Sequence, residues 1–369
     1  MTRSLFRYLE PTFFAGLLDD PLLLVRVRPL GESILFDCGE IHHLAKRVVK
    51  SVSALFITHA HMDHFMGYDA FVRHNHVSPK TFDIFGPPGI AGKVGSRLAG
   101  YDWNLTEPDW CSFRVYEIHP GFTITFLFPG KDGFPCRPVG ETTRIGSEIY
   151  SNPYLEVRAE LCDHRIPALV FRTTERLSFN LDETRMERLG VVRGDWLRRL
   201  KRGFYGGFAD KEPLLVTFRR GGGVVEEPVE DCRTLYESIR GEEAPAGIGY
   251  VTDIGATPEN MEKVAAFMEG VTLLVCECTF LARDRDKARA SFHLSTTDLN
   301  LLAERIRPGF VLPMHFSESY GGKSSLLYEE LEMPPGVSLL RLPEHLTPRP
   351  LIAGEAPRLC FRATDCSGS

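Results

Sequence analysis

The chain has no C-x-x-C pair, no low-complexity tract and no excess of positive charge. No apolar run approaches the roughly 20 residues that cross a bilayer, so no membrane span is expected. Nine cysteines, an odd number, are scattered along 369 residues. They read as reduced thiols rather than a disulfide framework or a cysteine-rich zinc knuckle. The opening Met1-Thr2-Arg3-Ser4-Leu5-Phe6-Arg7 is followed by Glu10, Asp19 and Asp20, which interrupt any apolar core of a secretory signal. A cytoplasmic protein without membrane association is the expectation. A formal charge of −6 excludes a global attraction for nucleic acid, although a local basic patch can still draw phosphates.

Against these absences stands Thr58-His59-Ala60-His61-Met62-Asp63-His64, with three histidines and an aspartate inside six positions. It follows an apolar stretch, residues 52–57, short and rich enough in β-branched and aromatic residues to be a buried strand. His59 and His61 are two apart, so extended backbone sends both rings to one side. Asp63 and His64 lie where a turn can bring them toward a second ion. A single histidine here would read as a solvated loop residue. This spacing instead reads as a zinc site, built from nitrogen and carboxylate donors.

Strands and helices alternate along most of the chain, which argues an α/β architecture. Strands are expected at 33–36, 82–85, 122–128, 154–159, 168–173, 249–252, 271–276 and 310–313, and a short helix at 42–50. Thr257-Pro258-Glu259 has the cap, proline and acid of a helix start, and Ser295 with Asp298 forms a capping box before an apolar stripe. Residues 174–243 are richer in charge, glycine and arginine, with one clear strand at 214–218. This segment is the candidate inserted arm of an otherwise single domain spanning 1–369. It carries Arg198-Arg199-Leu200-Lys201-Arg202, then Lys211 and Arg219-Arg220. By itself such a run is a solvated helical face.

Further candidate ligands sit at strand ends: His164, Asp253 and His315. Each alone is an ordinary polar residue at a sheet edge. Together with the His59 cluster they supply the distant ligands that a two-metal site needs.

The ordered set Asp37, His59-x-His61-x-Asp63-His64, His164, Asp253 and His315 resembles the metallo-β-lactamase fold, and within it the ribonuclease Z family. Ile34-Leu35-Phe36-Asp37-Cys38-Gly39-Glu40, Gly86-Pro87 and Cys162-Asp163-His164-Arg165-Ile166-Pro167-Ala168 are similar to that family's successive motifs. So are Glu277-Cys278-Thr279-Phe280, His293-Leu294-Ser295-Thr296 and Pro313-Met314-His315-Phe316-Ser317. The family's Gly-Thr-Gly opening is absent, and Cys276 stands where it has histidine.

The resemblance implies a four-layer αββα sandwich with a protruding arm, and two zinc ions per chain, with manganese or iron able to occupy such sites. One ion would be held by His59, His61 and His164. The other would be held by Asp63, His64 and His315, with Asp253 bridging. Asp37 would orient the His59 loop. A bridging hydroxide would attack phosphorus, with Asp63 as proton acceptor, His293 as acid toward the leaving 3′-oxygen and Glu277 orienting it. The implied reaction removes the 3′ trailer of precursor tRNA. The alternative is a phosphodiesterase for small substrates such as cyclic nucleotides. The run Glu187 through Gly203 resembles the family's tRNA-gripping arm, giving Arg198, Arg199, Lys201 and Arg202 an RNA-binding role. A homodimer, the arm of one subunit serving the other, is also implied.

Overall fold

The computed structural model describes residues 5–208, 212–242 and 244–346; Lys211 of the basic run and Glu243 at the end of the arm interval lie outside them. Strands β1 (Leu9–Thr12), β2 (Leu23–Val27), β3 (Glu32–Phe36), β4 (Val52–Phe56), β5 (Thr81–Gly86), β6 (Ser112–His119), β7 (Phe122–Pro129) and β8 (Arg137–Thr143) lie side by side in chain order. Within that sheet β3 to β6 run parallel. A second sheet begins with β9 (Glu148–Ser151), β10 (Leu155–Asp163) and β11 (Pro167–Glu175). The chain then leaves for an insertion that holds the hairpin β12 (Leu214–Arg220) and β13 (Gly223–Val229). It returns as β14 (Gly247–Val251), β15 (Leu273–Glu277), β16 (Phe310–Met314) and β17 (Ser338–Leu339), giving the order β17-β16-β15-β14-β11-β10-β9.

The layers follow from which side chains cluster. Ile34, Phe36, Ala54 and Phe56 of the first sheet face Val157, Ala159, Leu169, Phe171, Tyr250 and Val275 of the second. Phe36 packs against Phe56, Phe171 and Tyr250 with ring centroids 5.0, 5.5 and 5.6 Å apart. Full burial of such a ring stabilises by roughly 1.5–3 kcal/mol. The alternate residues Leu35 and Leu55 point outward onto helices Tyr68–Asn75 and Ile90–Leu98. On the other side Leu274 and Val311 meet helices Pro258–Phe267 and Thr296–Ile306. The molecule is therefore a four-layer αββα sandwich, and its parallel strands read as continuous apolar runs because both faces are covered. Among the described residues no helix is long and apolar enough to cross a membrane.

Several elements differ in extent from the sequence reading. The helix expected at 42–50 is only Lys46–Ser51. The preceding segment is committed elsewhere: Cys38 N–H donates to the His64 carbonyl, and Gly67 N–H donates to the Cys38 carbonyl. These two strips touch so closely that a Cβ on Gly39 would lie 2.1 Å from the Asp63 oxygen, and one on Gly67 2.2 Å from the Gly39 oxygen. Only glycine fits at either place. The strand expected at 154–159 runs on to Asp163, so Cys162 and Asp163 pair with Ala168 and Pro167 and His164 sits in the hairpin turn.

The insertion is more regular than its composition suggested. Helices Glu183–Arg188, Trp196–Tyr205 and Cys232–Ile239 pack with the hairpin around Met186, Trp196, Leu200, Val216, Phe218 and Ile239, a core separate from the other three. Strand β13 is mostly exposed, and its Glu226-Glu227-Pro228 hid it from any alternation rule. At the base, the Glu175 carboxylate accepts the backbone N–H groups of Tyr8 at 2.6 Å and Leu9 at 2.8 Å.

Candidate metal centre

The carboxyl ends of the parallel strands from both sheets meet at one rim. Asp37 follows β3, Thr58 and His59 follow β4, Asp253 follows β14, and His315 follows β16. The β10–β11 turn brings His164 to the same place. Asp37, Asp253 and His315 each leave their strand with left-handed backbone, φ 53°, 53° and 55°. Such a conformation is uncommon for non-glycine residues and persists where surrounding contacts over-determine it.

Three groups of side chains converge there, all sharing Asp253. His59, His61, His164 and Asp253 form one, and Asp63, His64, Asp253 and His315 form another; in each, one donor atom per residue lies within 4.8 Å of the rest. These two are the candidate metal-holding sets, whereas the third, Asp253, Glu277, His293 and His315, overlaps the Glu277–His293 pair beside the centre. Asp253 belongs to all three. Its Oδ2 is 3.7 Å from Nε2 of His59 and of His164 and 3.3 Å from Nε2 of His64, while Oδ1 is 3.1 Å from His315 Nδ1. Asp63 Oδ2 stands 3.3 Å from His64 Nε2 and 3.1 Å from His315 Nε2. Nε2 of His59 and of His64 is buried without a hydrogen-bond partner. A buried ring nitrogen without a partner is costly unless something else takes its lone pair. The donor set, imidazole nitrogens and carboxylates, is the kind that binds zinc or a similar divalent ion.

The other ring nitrogens are spoken for, which fixes how each imidazole points. His59 Nδ1 lies 3.1 Å from Thr58 Oγ1, and His164 Nδ1 donates to the Phe292 carbonyl at 2.7 Å. His64 Nδ1 donates to Asp37 Oδ2 at 2.9 Å. Asp37 also accepts the Thr58 N–H at 2.8 Å and, from the opposite sheet, the Tyr250 hydroxyl at 3.1 Å. Asp37 therefore acts on the loop through Thr58 and His64, and touches His59 only by way of Thr58. Tyr250 escaped the sequence reading because an aromatic residue on an inward strand face reads as core.

Electrostatics suit the same use at His59 and His164, whereas at His64 burial opposes the charge but the carboxylates of Asp253 and Asp37 override it and raise the imidazole well above its ordinary value. Burial, followed by the neighbouring His64, pushes His59 down to about 2, and burial lowers His164, so both rings are neutral donors. Burial works against ionisation of Asp253, but His315 and His64 outweigh it and hold the carboxyl well below its usual range. Asp63 is lowered in the same way, the bonds from His315 and His64 overcoming burial.

Beside this centre, Glu277 is fully buried and accepts from four donors: Ile254 N–H at 2.8 Å, Thr279 Oγ1 at 2.7 Å, Leu294 N–H at 3.1 Å and His293 Nδ1 at 3.0 Å. Burial disfavours the His293 cation, yet the Glu277 carboxylate overrides it and lifts His293 to about 9. Thr279 Oγ1 also lies within 3.3 Å of His293 Nδ1 and 3.4 Å of His315 Nδ1, linking this pair to the centre. The sequence reading passed over that threonine as a motif letter.

The basic run falls on helix Trp196–Tyr205 of the insertion. Arg198, Lys201 and Arg202 are exposed. Arg199 differs, because its guanidinium bonds Glu212 Oε2 at 3.0 Å and the carbonyls of Glu212 and Pro213 at 3.3 Å.

No family model matches the chain. It is 29% identical to ribonuclease Z of Deinococcus radiodurans, over 78% of this chain and 83% of that protein. It is 26% identical to ribonuclease Z of Anoxybacillus flavithermus, over 84% and 85%. Among solved structures, the metallo-β-lactamase fold protein YhfI from Bacillus subtilis superposes with a TM-score of 0.52 at 12% identity, covering 90% of this chain and 96% of that one. A long-form RNase Z from yeast gives 0.51 at 11% identity, covering 94% of this chain and 42% of its own. Fold, ordered motifs and relatives agree: the chain is a metal-dependent hydrolase of the metallo-β-lactamase fold, similar over most of its length to ribonuclease Z proteins.

Proposed function

We propose that this enzyme is a cytoplasmic endoribonuclease that cuts precursor tRNA on the 3′ side and releases the trailer. The observation that carries the reading is the shared Asp253 between two donor groups, with a buried histidine–glutamate pair alongside. His59, His61 and His164 would hold one metal ion and Asp63, His64 and His315 a second, Asp253 lying between them. Zinc is the metal that this donor set favours. When bound, such metals supply Lewis acidity toward the phosphodiester and lower the pKa of water.

The chain's own residues do the rest. Asp63, half-buried and ionised, is the group placed to accept a proton at the rim. His293, raised to about 9, carries a proton at neutral pH and would give it to the leaving 3′-oxygen. Glu277 holds that imidazole in position; its oxygens are already engaged by four donors, which argues against a ligand role for it. The inserted segment, with its own core and exposed Arg198, Lys201 and Arg202, is the arm that would contact phosphates of a structured RNA away from the cut. Family resemblance supports a homodimer in which each arm serves the partner's centre. A phosphodiesterase for small substrates would use the same centre but gives the basic helix nothing to do.

Elemental analysis of the purified protein tests the core of this reading. Two equivalents of a divalent metal are expected, falling by about one in a His61→Ala protein that stays folded. Less than one metal per chain in the wild type after careful handling would count against it.

A further inference from the structure

Three rim loops are tied together beside the metal centre. The Gly255 N–H, two residues past Asp253, donates to the Asp163 carbonyl at 2.8 Å. A Cβ on Gly255 would lie 2.7 Å from the Phe292 ring, so that ring rests directly on the Asp253 loop. The Phe292 carbonyl in turn accepts from His164 Nδ1. Arg165 sits over the same ring, its guanidinium carbon 4.8 Å from the ring centroid. Arg165 directly follows His164, and Phe292 directly precedes His293. The stacked pair thus flanks both a candidate ligand and the candidate acid.

Arg165 and Phe292 each have left-handed backbone, φ 60°, a conformation that non-glycine residues keep only when neighbours hold them there. Arg165 is nevertheless exposed. Among the described residues its guanidinium makes one hydrogen bond, to the Ala290 carbonyl at 2.7 Å, and no ion pair. A guanidinium has five N–H donors in a rigid planar fork suited to phosphate oxygens. Stacking on an aromatic ring fixes the plane of that fork before any ligand arrives.

We infer that Arg165, oriented by Phe292, is a phosphate-binding residue at the mouth of the centre, taking a backbone phosphate next to the scissile linkage of a polynucleotide. This rests on the RNA reading above. It is separate from the arm, which lies on another part of the chain. A small phosphodiester has no flanking phosphate, so Arg165 serves only the polymeric substrate. The competing role is a staple that merely holds the His164 turn against residues 290–292.

Arg165→Gln and Arg165→Lys separate the two. In the Arg165→Gln protein, binding of precursor tRNA should weaken about tenfold and its salt dependence should flatten by about one in log–log slope. Metal content and turnover of bis(p-nitrophenyl) phosphate should stay at wild-type values. Arg165→Lys should restore the salt slope, because lysine returns the charge, while recovering only part of the affinity, because it lacks the fork. Unchanged RNA affinity and slope in the Arg165→Gln protein overturns the inference. So does a parallel fall in metal content or small-diester turnover, which identifies the staple. A wild-type protein that does not bind precursor tRNA sinks the RNA reading and this one together, whereas RNA cleavage indifferent to Arg165 sinks this one alone.

Discussion

His293 is where the chemistry can be dissected most finely. Its imidazole is held by Glu277 at 3.0 Å and raised to about 9, so it is protonated at neutral pH and loses that proton as pH rises through about 9. Turnover on RNA should therefore fall on the alkaline side, when the acid is spent. His293→Ala should lower RNA turnover by about 10²–10⁴-fold, the usual range for a positioned acid. With p-nitrophenolate as leaving group, which needs little protonation, both the alkaline fall and the loss in the alanine protein should shrink. Equal losses on both substrates would remove the acid role. The candidate ligand cluster was legible in the sequence because six consecutive positions carry four potential donors. Thr58, Tyr250 and Thr279 were not legible. Their hydroxyls matter through partners that the fold brings from elsewhere, as when Tyr250 reaches Asp37 across the sheets at 3.1 Å.

At the scale of elements, the segment that carries His293 is fixed by a helix start. Ser295 caps helix Thr296–Ile306, and buried Asp298 closes the box while taking two bonds from Arg289, at 2.9 and 2.6 Å. Burial opposes ionisation of Asp298, but Arg289 and Ser295 outweigh it and lower its pKa. A carboxylate depressed in the folded state stabilises above its unfolded pKa and loses that contribution as pH falls through the folded one. Asp298→Ala should cost about 3 kcal/mol, since it leaves Arg289 unpaired beside a half-buried helix end. Denaturant melts should show that deficit at pH 7 and a smaller one toward pH 3; a deficit that does not change with pH would contradict it. The box was readable from sequence, as was the proline start at Thr257, since both are local rules. Strands β8 and β13 were not, because both are largely exposed and show no buried alternation; β1, β2, β6, β9 and β17 also went unread, β6 although its residues do alternate. The insertion makes its own prediction. Neutralising Arg198, Lys201 and Arg202 should weaken precursor tRNA binding and flatten its salt dependence by two to three in slope, about one for each phosphate no longer neutralised. Arg199 is left out because it braces Glu212, and replacing it would test folding instead. If affinity does not move, the helix is a solvated face.

For the whole molecule, the two sheets contribute unequal shares to one rim. The first supplies the contiguous His59–His64 cluster; the second supplies His164 from the antiparallel β10–β11 turn and Asp253 and His315 from the ends of parallel strands, with His293 joining from the loop before helix Thr296–Ile306. That gathering is why order and strand-end position revealed the site, while its geometry needed the fold. If subunits pair with arms exchanged, mixing an arm-neutralised chain with a His61→Ala chain should restore part of the activity that each lacks alone, and no recovery would argue for arms working within their own subunit. The most direct test of the account is incubation of the purified protein with a precursor tRNA, alongside bis(p-nitrophenyl) phosphate, before and after chelation. A single endonucleolytic cut that frees the trailer intact, abolished by the chelator and restored by zinc, is the predicted result. Hydrolysis of the small diester with the precursor left whole would contradict it.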